Sequence, residues 1–341
     1  MISGQLFNDI MTLRLYVKKI TTGRMNEMFL ERKRIFAILL ALMLAFSLAA
    51  CGGADAPAED TNTDAPVEAP VEESVSIEDE TNAFFAELPG IIVSNEDFVA
   101  KVQAGEELFV LDIRQADVYA EGHVAGAINA PWNTSALVDN LASIPMDETV
   151  YVYCYTGQTA GQTVALLKIA GYDVKSVKYG YNLGISKVEG FESIITTDVA
   201  EFDEPQGSEV DPVFAEMITD YFANMNATYG SNVMPAADVK DVLDTEDNSY
   251  YVVSIRQAED YAAGHIPGAI NIPFVAGMQE SFGDLPMDKT IVIYCYSGQT
   301  AGQTVAGLRV LGFDAVSLKS GMGTPVTDPS GWANEGFEVV Q

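Results

Sequence analysis

A stretch built around one cysteine occurs twice in this chain, and this repetition limits the possible folds more than any other feature. The segment at 153–165 reads Y-C-Y-T-G-Q-T-A-G-Q-T-V-A, and the segment at 294–306 differs only by a serine in place of the first threonine. Upstream, G-H-V-A-G-A-I-N at 122–129 recurs as G-H-I-P-G-A-I-N at 264–271. A period of about 140 residues is too long for a solenoid and indicates two copies of one domain.

Length and charge agree with two acidic globular domains. The chain has 341 residues, which is too long for one typical core. Its 18 basic and 49 acidic residues give a formal net charge of −31, which makes nucleic acid an unexpected partner. The same charge repels small anions, so any anion site must be built locally. Three cysteines are too few for a disulfide framework.

Each copy alternates predicted strands with predicted helices. Short apolar runs of the kind found in buried parallel strands lie at Leu108–Leu111, Val150–Tyr153, Tyr250–Val253 and Ile291–Tyr294. Ser94 is a plausible N-cap of a first helix, and 116–121 reads as a short helix before Gly122. The residues after Cys154 have helical spacing up to Gly171. This order predicts an α/β fold with a mainly parallel sheet flanked by helices in each copy.

The N-terminal part of the chain predicts export and lipid attachment. A basic stretch at 31–34 precedes an apolar run at 35–46, which is too short to span a membrane, and then Leu48-Ala49-Ala50-Cys51. This pattern resembles a bacterial lipobox. We therefore expect residues 1–50 to be a signal peptide, Cys51 to be lipidated, and the protein to be extracytoplasmic and anchored to the cell membrane. An ordinary signal peptide or an uncleaved anchor is the alternative. Residues 1–23 fit no part of a signal, which gives the hypothesis that translation starts at Met25 or Met28.

The remaining boundaries follow from composition. Residues 51–81 are rich in Ala, Pro, Thr, Asp and Glu, and we expect a disordered acidic tether there, with a recognition tail as the alternative. We place the first domain at 82–200, an acidic linker at 201–211, and the second domain at 212–341. The second domain is expected to begin with a helix over 213–229.

Cys154 and Cys295 each lie between a buried strand and the start of a helix. Gly157 and Gly298 allow the intervening loop to curl, so that its backbone N–H groups and the helix N-terminus converge on the sulfur. Such a nest favours the thiolate and would also stabilise a persulfide anion. The alternative is that each cysteine is simply a small apolar residue at a strand end.

The cysteine loop and two upstream elements resemble the rhodanese family. Both loops fit the pattern C-x-x-G-x-(R or T), L-D-I-R at 111–114 resembles the family's D-x-R element, and G-H-V-A-G-A-I at 122–128 resembles its G-H-I-x-G-A element. The resemblance implies two tandem rhodanese-like domains with Cys154 and Cys295 as sulfur-bearing nucleophiles. It implies transfer of sulfur from a small sulfur-containing anion, through a cysteine persulfide, to a thiol, without a cofactor. The residues that it places around the bound anion are Tyr155, Thr156, Gly157, Gln158, Thr159, Tyr296, Ser297, Gly298, Gln299, Thr300, Arg114 and Arg256.

This sequence departs from the family pattern at three positions. Thr159 and Thr300 stand where many members have Arg, so we expect thiosulfate to bind weakly. Ser254 stands where the second D-x-R element should have Asp, and Cys154 is therefore the better candidate if only one site is active. Arg114 and Arg256 could orient an anion, although a salt bridge to Asp117, Glu121 or Glu259 is the more usual role.

Other functions stay open at this point. A non-catalytic module that binds anions or persulfides would keep the fold without turnover. A thiol–disulfide redox pair formed by Cys154 and Cys295 is the second alternative. His123 and His265 fit a hydrogen-bonded turn better than a metal site, and no metal is expected. The sequence identifies no protein partner.

Overall fold

Each repeat forms one five-stranded parallel sheet in the computed structural model, which describes residues 76–88, 90–204 and 210–341. The first repeat consists of α1 (Ile77–Glu87), β1 (Ile92–Val93), α2 (Asn95–Gln103), β2 (Phe109–Asp112), α3 (Ala116–Glu121), β3 (His123–Val124), β4 (Ile128–Asn129), α4 (Ala136–Asp139), β5 (Val150–Tyr153), α5 (Gln158–Ile169), β6 (Val174–Val177), α6 (Gly180–Leu183) and β7 (Ile195–Thr196). The second consists of α7 (Pro212–Ala223), β8 (Val233–Met234), α8 (Ala236–Asp244), β9 (Tyr250–Ser254), α9 (Ala258–Ala263), β10 (Ile270–Asn271), β11 (Thr290–Tyr294), α10 (Gln299–Val310) and β12 (Ala315–Leu318).

The strand order is the same in both repeats. It is β1-β6-β5-β2-β4 in the first sheet and β8-β12-β11-β9-β10 in the second, with parallel pairing throughout. A separate antiparallel pair, β3 with β7, closes the first repeat. This architecture confirms the predicted α/β class with two mainly parallel sheets flanked by helices.

Local sequence explains where the elements begin and end. Strand β5 is buried at every residue, as its continuous apolar run predicts. Ser94 caps α2 by accepting a hydrogen bond from the backbone N–H of Asp97 at 3.0 Å. Gly171, with φ of +94°, follows α5. The first helix of the second repeat, α7, runs from Pro212 to Ala223 and is therefore shorter than the predicted helix over 213–229.

The two repeats contact each other through α5 and α10, the helices that follow the cysteines. A Cβ atom on Gly161 would lie 2.4 Å from the carbonyl oxygen of Gln299, and one on Gly302 would lie 2.3 Å from that of Gln158. Only glycine fits at such a separation, because the obstructing atoms belong to the backbone. The two helices therefore approach each other more closely than side chains would permit.

Helices α1 and α7 lie across this interface and extend one hydrophobic core through both repeats. Phe85 of α1 is fully buried and contacts Phe282 of the second repeat edge to face, with ring centroids 4.8 Å apart. Phe222 of α7 contacts Trp132 of the first repeat at 5.0 Å. Helix α1 starts at Ile77, inside the segment predicted to be a tether. The repeats are thus joined by packing as well as by the chain.

The predicted signal peptide, Cys51 and residues 51–75 of the tether lie outside the described residues. Within residues 76–88, 90–204 and 210–341, no helix combines the length and the apolar character that a membrane crossing requires.

Candidate active site

Both cysteine sulfurs accept hydrogen bonds from backbone amides of their own loops. The Sγ of Cys154 lies 3.1 Å from the N of Gly157 and 3.4 Å from the N of Ala160. The Sγ of Cys295 lies 3.0 Å from the N of Gly298. Amide donors at these distances favour negative charge on sulfur.

The loops can take this shape because glycine ends each of them. Gly157 and Gly298 have φ of +88° and +96°, values that glycine adopts readily, and each is the residue before its helix begins. The side chains of Cys154 and Cys295 are only 2% and 3% exposed. Each cysteine is therefore almost completely enclosed by its surroundings.

A second backbone segment, which follows strand β6 or β12, forms hydrogen bonds to each cysteine loop. In the first repeat, the N–H of Tyr181 donates to the carbonyl of Cys154 at 2.8 Å. In the second, the N–H of Met322 donates to the carbonyl of Cys295 at 2.8 Å. The intervening Gly180 has φ of +63°, and a Cβ there would lie 2.5 Å from the Cys154 oxygen. These closing segments, 179–182 and 320–323, fix the backbone on which each cysteine sits.

The glutamines of the two loops point into the opposite repeat. The Nε2 of Gln158 donates to Ser317 Oγ at 2.8 Å and to the Leu318 carbonyl at 2.9 Å, while its Oε1 accepts from the N–H of Ser320. Gln299 makes the reciprocal set with Ser176 Oγ at 2.9 Å, the Val177 carbonyl at 3.2 Å and the N–H of Tyr179.

Neither glutamine side chain is therefore placed as an anion ligand of its own loop. Both are buried at the interface, where every polar atom of the amide has a partner. The loop of Cys154 is thus hydrogen-bonded to the strand end that precedes the closing segment of Cys295. The loop of Cys295 is hydrogen-bonded in the same way to the strand end that precedes the closing segment of Cys154.

The tyrosines after the cysteines reach back to the D-x-R elements. The phenol oxygen of Tyr155 accepts from the N–H of Gln115 at 3.1 Å, and that of Tyr296 accepts from the N–H of Gln257 at 3.2 Å. Tyr296 also donates to Asp260. Partial burial, followed by the hydrogen bond to Asp260, raises the pKa of Tyr296. Tyr296 is therefore a neutral phenol near neutral pH.

The remaining loop residues surround each cysteine without fixed side-chain partners. Thr156 and Thr159 in the first loop, and Ser297 and Thr300 in the second, are partly exposed. Their hydroxyl groups make no hydrogen bond within the part of the chain that the structure describes. These hydroxyls are the uncharged groups available to a bound donor.

Arg114 is held in a buried ion pair and not in an anion site. Its Nε lies 3.0 Å from both carboxylate oxygens of Asp112, and its Nη2 lies 2.6 Å from one of them. The expectation of a partner at Asp117 or Glu121 was wrong, because the side chain folds back onto its own strand end. Burial, the largest single cause, lowers the pKa of Arg114, but Asp112 together with Tyr153 and Tyr181 raises it, and the net pKa lies above the ordinary value.

Arg256 has the same position in the second repeat but a different environment. One Nη2 hydrogen donates to the Gly264 carbonyl, and Glu259 is not its partner. Ser254 stands where the first repeat has Asp112, and its hydroxyl oxygen lies 3.4 Å from the backbone N of Arg256.

His123 and His265 lie in hydrogen-bonded turns. The Nδ1 of His123 lies 2.8 Å from the Tyr119 carbonyl, and that of His265 lies 3.0 Å from the Tyr261 carbonyl. Each ring stacks on the tyrosine concerned. Among residues 76–88, 90–204 and 210–341, no three His, Cys, Asp or Glu side chains are close enough together to hold a metal ion.

Comparison with known proteins agrees with this geometry. The model of the rhodanese-like domain matches residues 94–186 and 235–323, more than half of the chain. Thiosulfate sulfurtransferase from Pseudomonas aeruginosa is 26% identical over 272 residues, which cover 70% of this chain and 93% of that protein.

Two archaeal tRNA sulfurtransferases match over a shorter region. The protein from Desulfurococcus amylolyticus is 32% identical over 80 residues, covering 24% of this chain, and the protein from Pyrobaculum aerophilum is 33% identical over 87 residues, covering 25%. This chain spans only 16% and 17% of their lengths. The chain therefore belongs to the rhodanese-like family as two tandem domains, and it is a sulfurtransferase or sulfur carrier.

Proposed function

We propose that this protein is an extracytoplasmic, lipid-anchored sulfurtransferase that carries sulfane sulfur as a persulfide on Cys154 and Cys295. The observation that carries the proposal is the hydrogen bonding of backbone amides to both sulfurs, with two amides at 3.1 and 3.4 Å from Cys154 and one at 3.0 Å from Cys295. A thiolate is the attacking form of cysteine, and fixed amide dipoles favour it without any charged side chain.

The reaction takes two displacement steps. The Cys154 thiolate attacks the outer sulfur of the donor, a new S–S bond forms, and the old bond breaks with its electron pair on the leaving group. For thiosulfate the leaving group is sulfite, and for a polysulfide it is the shortened polysulfide. An acceptor thiolate then attacks the terminal sulfur and takes it, which regenerates the Cys154 thiolate. The loop amides donate hydrogen bonds to the thiolate before each transfer and to the persulfide anion after it.

The uncharged loops favour a donor that depends less on a cationic ligand than thiosulfate does. Thr159 and Thr300 supply hydroxyls where an arginine would supply a cation, and the guanidinium of Arg114 is taken by Asp112. A charge-assisted hydrogen bond is roughly twice as strong as a neutral one. A polysulfide has no sulfonate oxygens to be held by such a cation, so polysulfide-like donors should react faster than thiosulfate. We expect Thr159→Arg and Thr300→Arg to raise turnover of thiosulfate roughly tenfold, and the absence of any gain would refute this account of donor choice.

Thiocyanate formation from cyanide tests the activity itself. The wild-type chain should produce thiocyanate with polysulfide, and the double variant Cys154→Ser, Cys295→Ser should not. Intact-mass spectra of each single variant should show an adduct of roughly 32 Da, the mass of one sulfur, on the remaining cysteine. No adduct with either donor would favour an anion-binding module. In the wild type, which keeps both cysteines, a loss of two hydrogens instead would favour a thiol–disulfide redox pair.

The anchor is a separate proposal, supported by the sequence at 31–52. Cys51→Ser should move the protein from the membrane fraction to the soluble fraction after export, while its thiocyanate production is unchanged. Wild-type protein in the soluble fraction would refute the anchor and leave the sulfur chemistry untouched.

A further inference from the structure

The guanidinium of Arg256 is buried without a counter-charge. The residue is only 6% exposed, and its Nε has no hydrogen-bond partner among the described residues. No salt bridge to Arg256 occurs within the part of the chain that the structure describes. The nearby carboxylate of Asp260 accepts from the Tyr296 phenol and not from the guanidinium.

The first repeat shows what such an arginine requires. There, one carboxylate, that of Asp112, accepts from the Nε, the Nη2 and the backbone N–H of Arg114, at distances of 2.6–3.0 Å. The guanidinium also lies 4.0 Å from the ring centroid of Tyr181. The charge is therefore neutralised and its donors are satisfied.

Two replacements remove both features from the second repeat. Ser254 takes the place of Asp112 and is itself fully buried, and Met322 takes the place of Tyr181. The aromatic rings nearest Arg256 are those of Tyr294 and Tyr296, with centroids 5.7 and 5.9 Å away. The side chains around Arg256 are thus smaller and less negative than those around Arg114.

A buried guanidinium cannot relieve this situation by losing its proton. An uncompensated buried charge is strongly unfavourable, and a buried donor without an acceptor adds to the penalty. At Arg256 the Nε has no partner in the described part of the chain, and the Nη2 donates to the Gly264 carbonyl, as the Nη2 of Arg114 does to that of Gly122. The backbone N–H lies 3.4 Å from the Ser254 oxygen, whose own hydrogen is a further donor. Together these groups form a site that has hydrogen-bond donors for an anion but no negative charge of its own.

We propose that the second domain binds a small inorganic anion, of the size of chloride, between Ser254 and Arg256. The anion takes the position that the Asp112 carboxylate has in the first domain. Serine lacks the two carboxylate oxygens of aspartate, and a space of that size favours a monatomic anion over a tetrahedral oxyanion. The acidic surface of the protein repels anions in general, so these local donors have to supply the affinity.

Thermal unfolding of the full chain tests the site with chloride as the probe. Sodium chloride is compared with sodium gluconate at constant ionic strength, because gluconate is too large for the site. A ligand that binds only the folded state raises the melting temperature with its concentration, and we expect roughly 3 °C for each tenfold increase above the dissociation constant. Ser254→Asp supplies the carboxylate internally, and its melting temperature should be the same in both salts. Arg256→Met should also abolish the difference if it folds.

A matched variant in the first domain extends the test. Asp112→Ser should create a second site at Arg114 and increase the response to chloride. Bromide diffused into crystals of the wild type should give an anomalous peak beside Arg256 and none beside Arg114. Equal responses to chloride in the wild type and Ser254→Asp, or no response in the wild type, would overturn the proposal.

Discussion

The two domains have the same cysteine loop, but the arginine that follows strand β2 or β9 has a different environment in each. The amide-to-sulfur distances of 3.1 and 3.0 Å, the positive φ of the loop glycine and the closing segment are common to both. Arg114 has Asp112 as its counter-ion, whereas Arg256 has Ser254 beside it. The backbone that surrounds the sulfur is therefore the same in both domains, whereas the charge next to the arginine differs.

The comparison also separates the two cysteines. Cys154 accepts from a second amide, that of Ala160 at 3.4 Å, and its closing segment contributes Tyr181, which stacks on Arg114. Cys295 has one such amide donor among the described residues, and its closing segment contributes Met322. We therefore expect the first domain to hold sulfur more tightly than the second.

Removing the counter-ion in the first domain should have the largest effect. Asp112→Ala leaves Arg114 buried and unpaired, and breaking a buried ion pair in this way costs about 3–5 kcal/mol. The free energy of unfolding, measured in urea, should fall by that amount. Ser254→Ala, the matched change in the second domain, removes no charge and should cost about 1 kcal/mol or less. Equal losses would mean that the two arginines are neutralised in the same way.

The helix contact should respond equally from either side. Gly161→Ala and Gly302→Ala each place a Cβ within 2.4 Å of a backbone oxygen of the other repeat. Overpacking of this kind costs about 1–3 kcal/mol, although alanine restores roughly 1 kcal/mol of helix propensity. Both variants should lower the melting temperature by similar amounts. Gly90→Ala, whose Cβ would have no atom within 4 Å, is the control and should be neutral.

The sequence predicted those parts of the fold that depend on local pattern. Helix α3 and strand β5 have the predicted bounds, because an apolar run and a terminal glycine are sufficient signals. The pairing of Arg114 with Asp112 was missed, since the two residues lie only two positions apart at a strand end and the arginine side chain turns back. The crossing of the glutamines was also missed, because their partners are more than a hundred residues away in sequence. Their duplication in both loops was the only available signal.

The crossing predicts that each loop glutamine supports the opposite cysteine. Gln299 belongs to the loop of Cys295, yet it holds Ser176, Val177 and the N–H of Tyr179, which lead into the segment closing on Cys154. Gln299→Ala loses these hydrogen bonds, each worth about 1 kcal/mol. Only the bond to the N–H of Tyr179 reaches the closing segment itself. In the Cys295→Ser background, persulfide formation at Cys154 should therefore slow roughly fivefold, the factor that corresponds to about 1 kcal/mol.

The reciprocal variant makes this small effect decisive. Gln158→Ala, measured in the Cys154→Ser background, should slow persulfide formation at Cys295 by a similar factor, because Gln158 holds the N–H of Ser320 in the same way. If each glutamine instead affected the cysteine of its own loop, the hydrogen bonds between the domains would be structural only. A crossed pattern would mean that neither cysteine site is complete without the other domain. The two domains would then differ in the charge next to the arginine but share the hydrogen bonds that hold their cysteine loops.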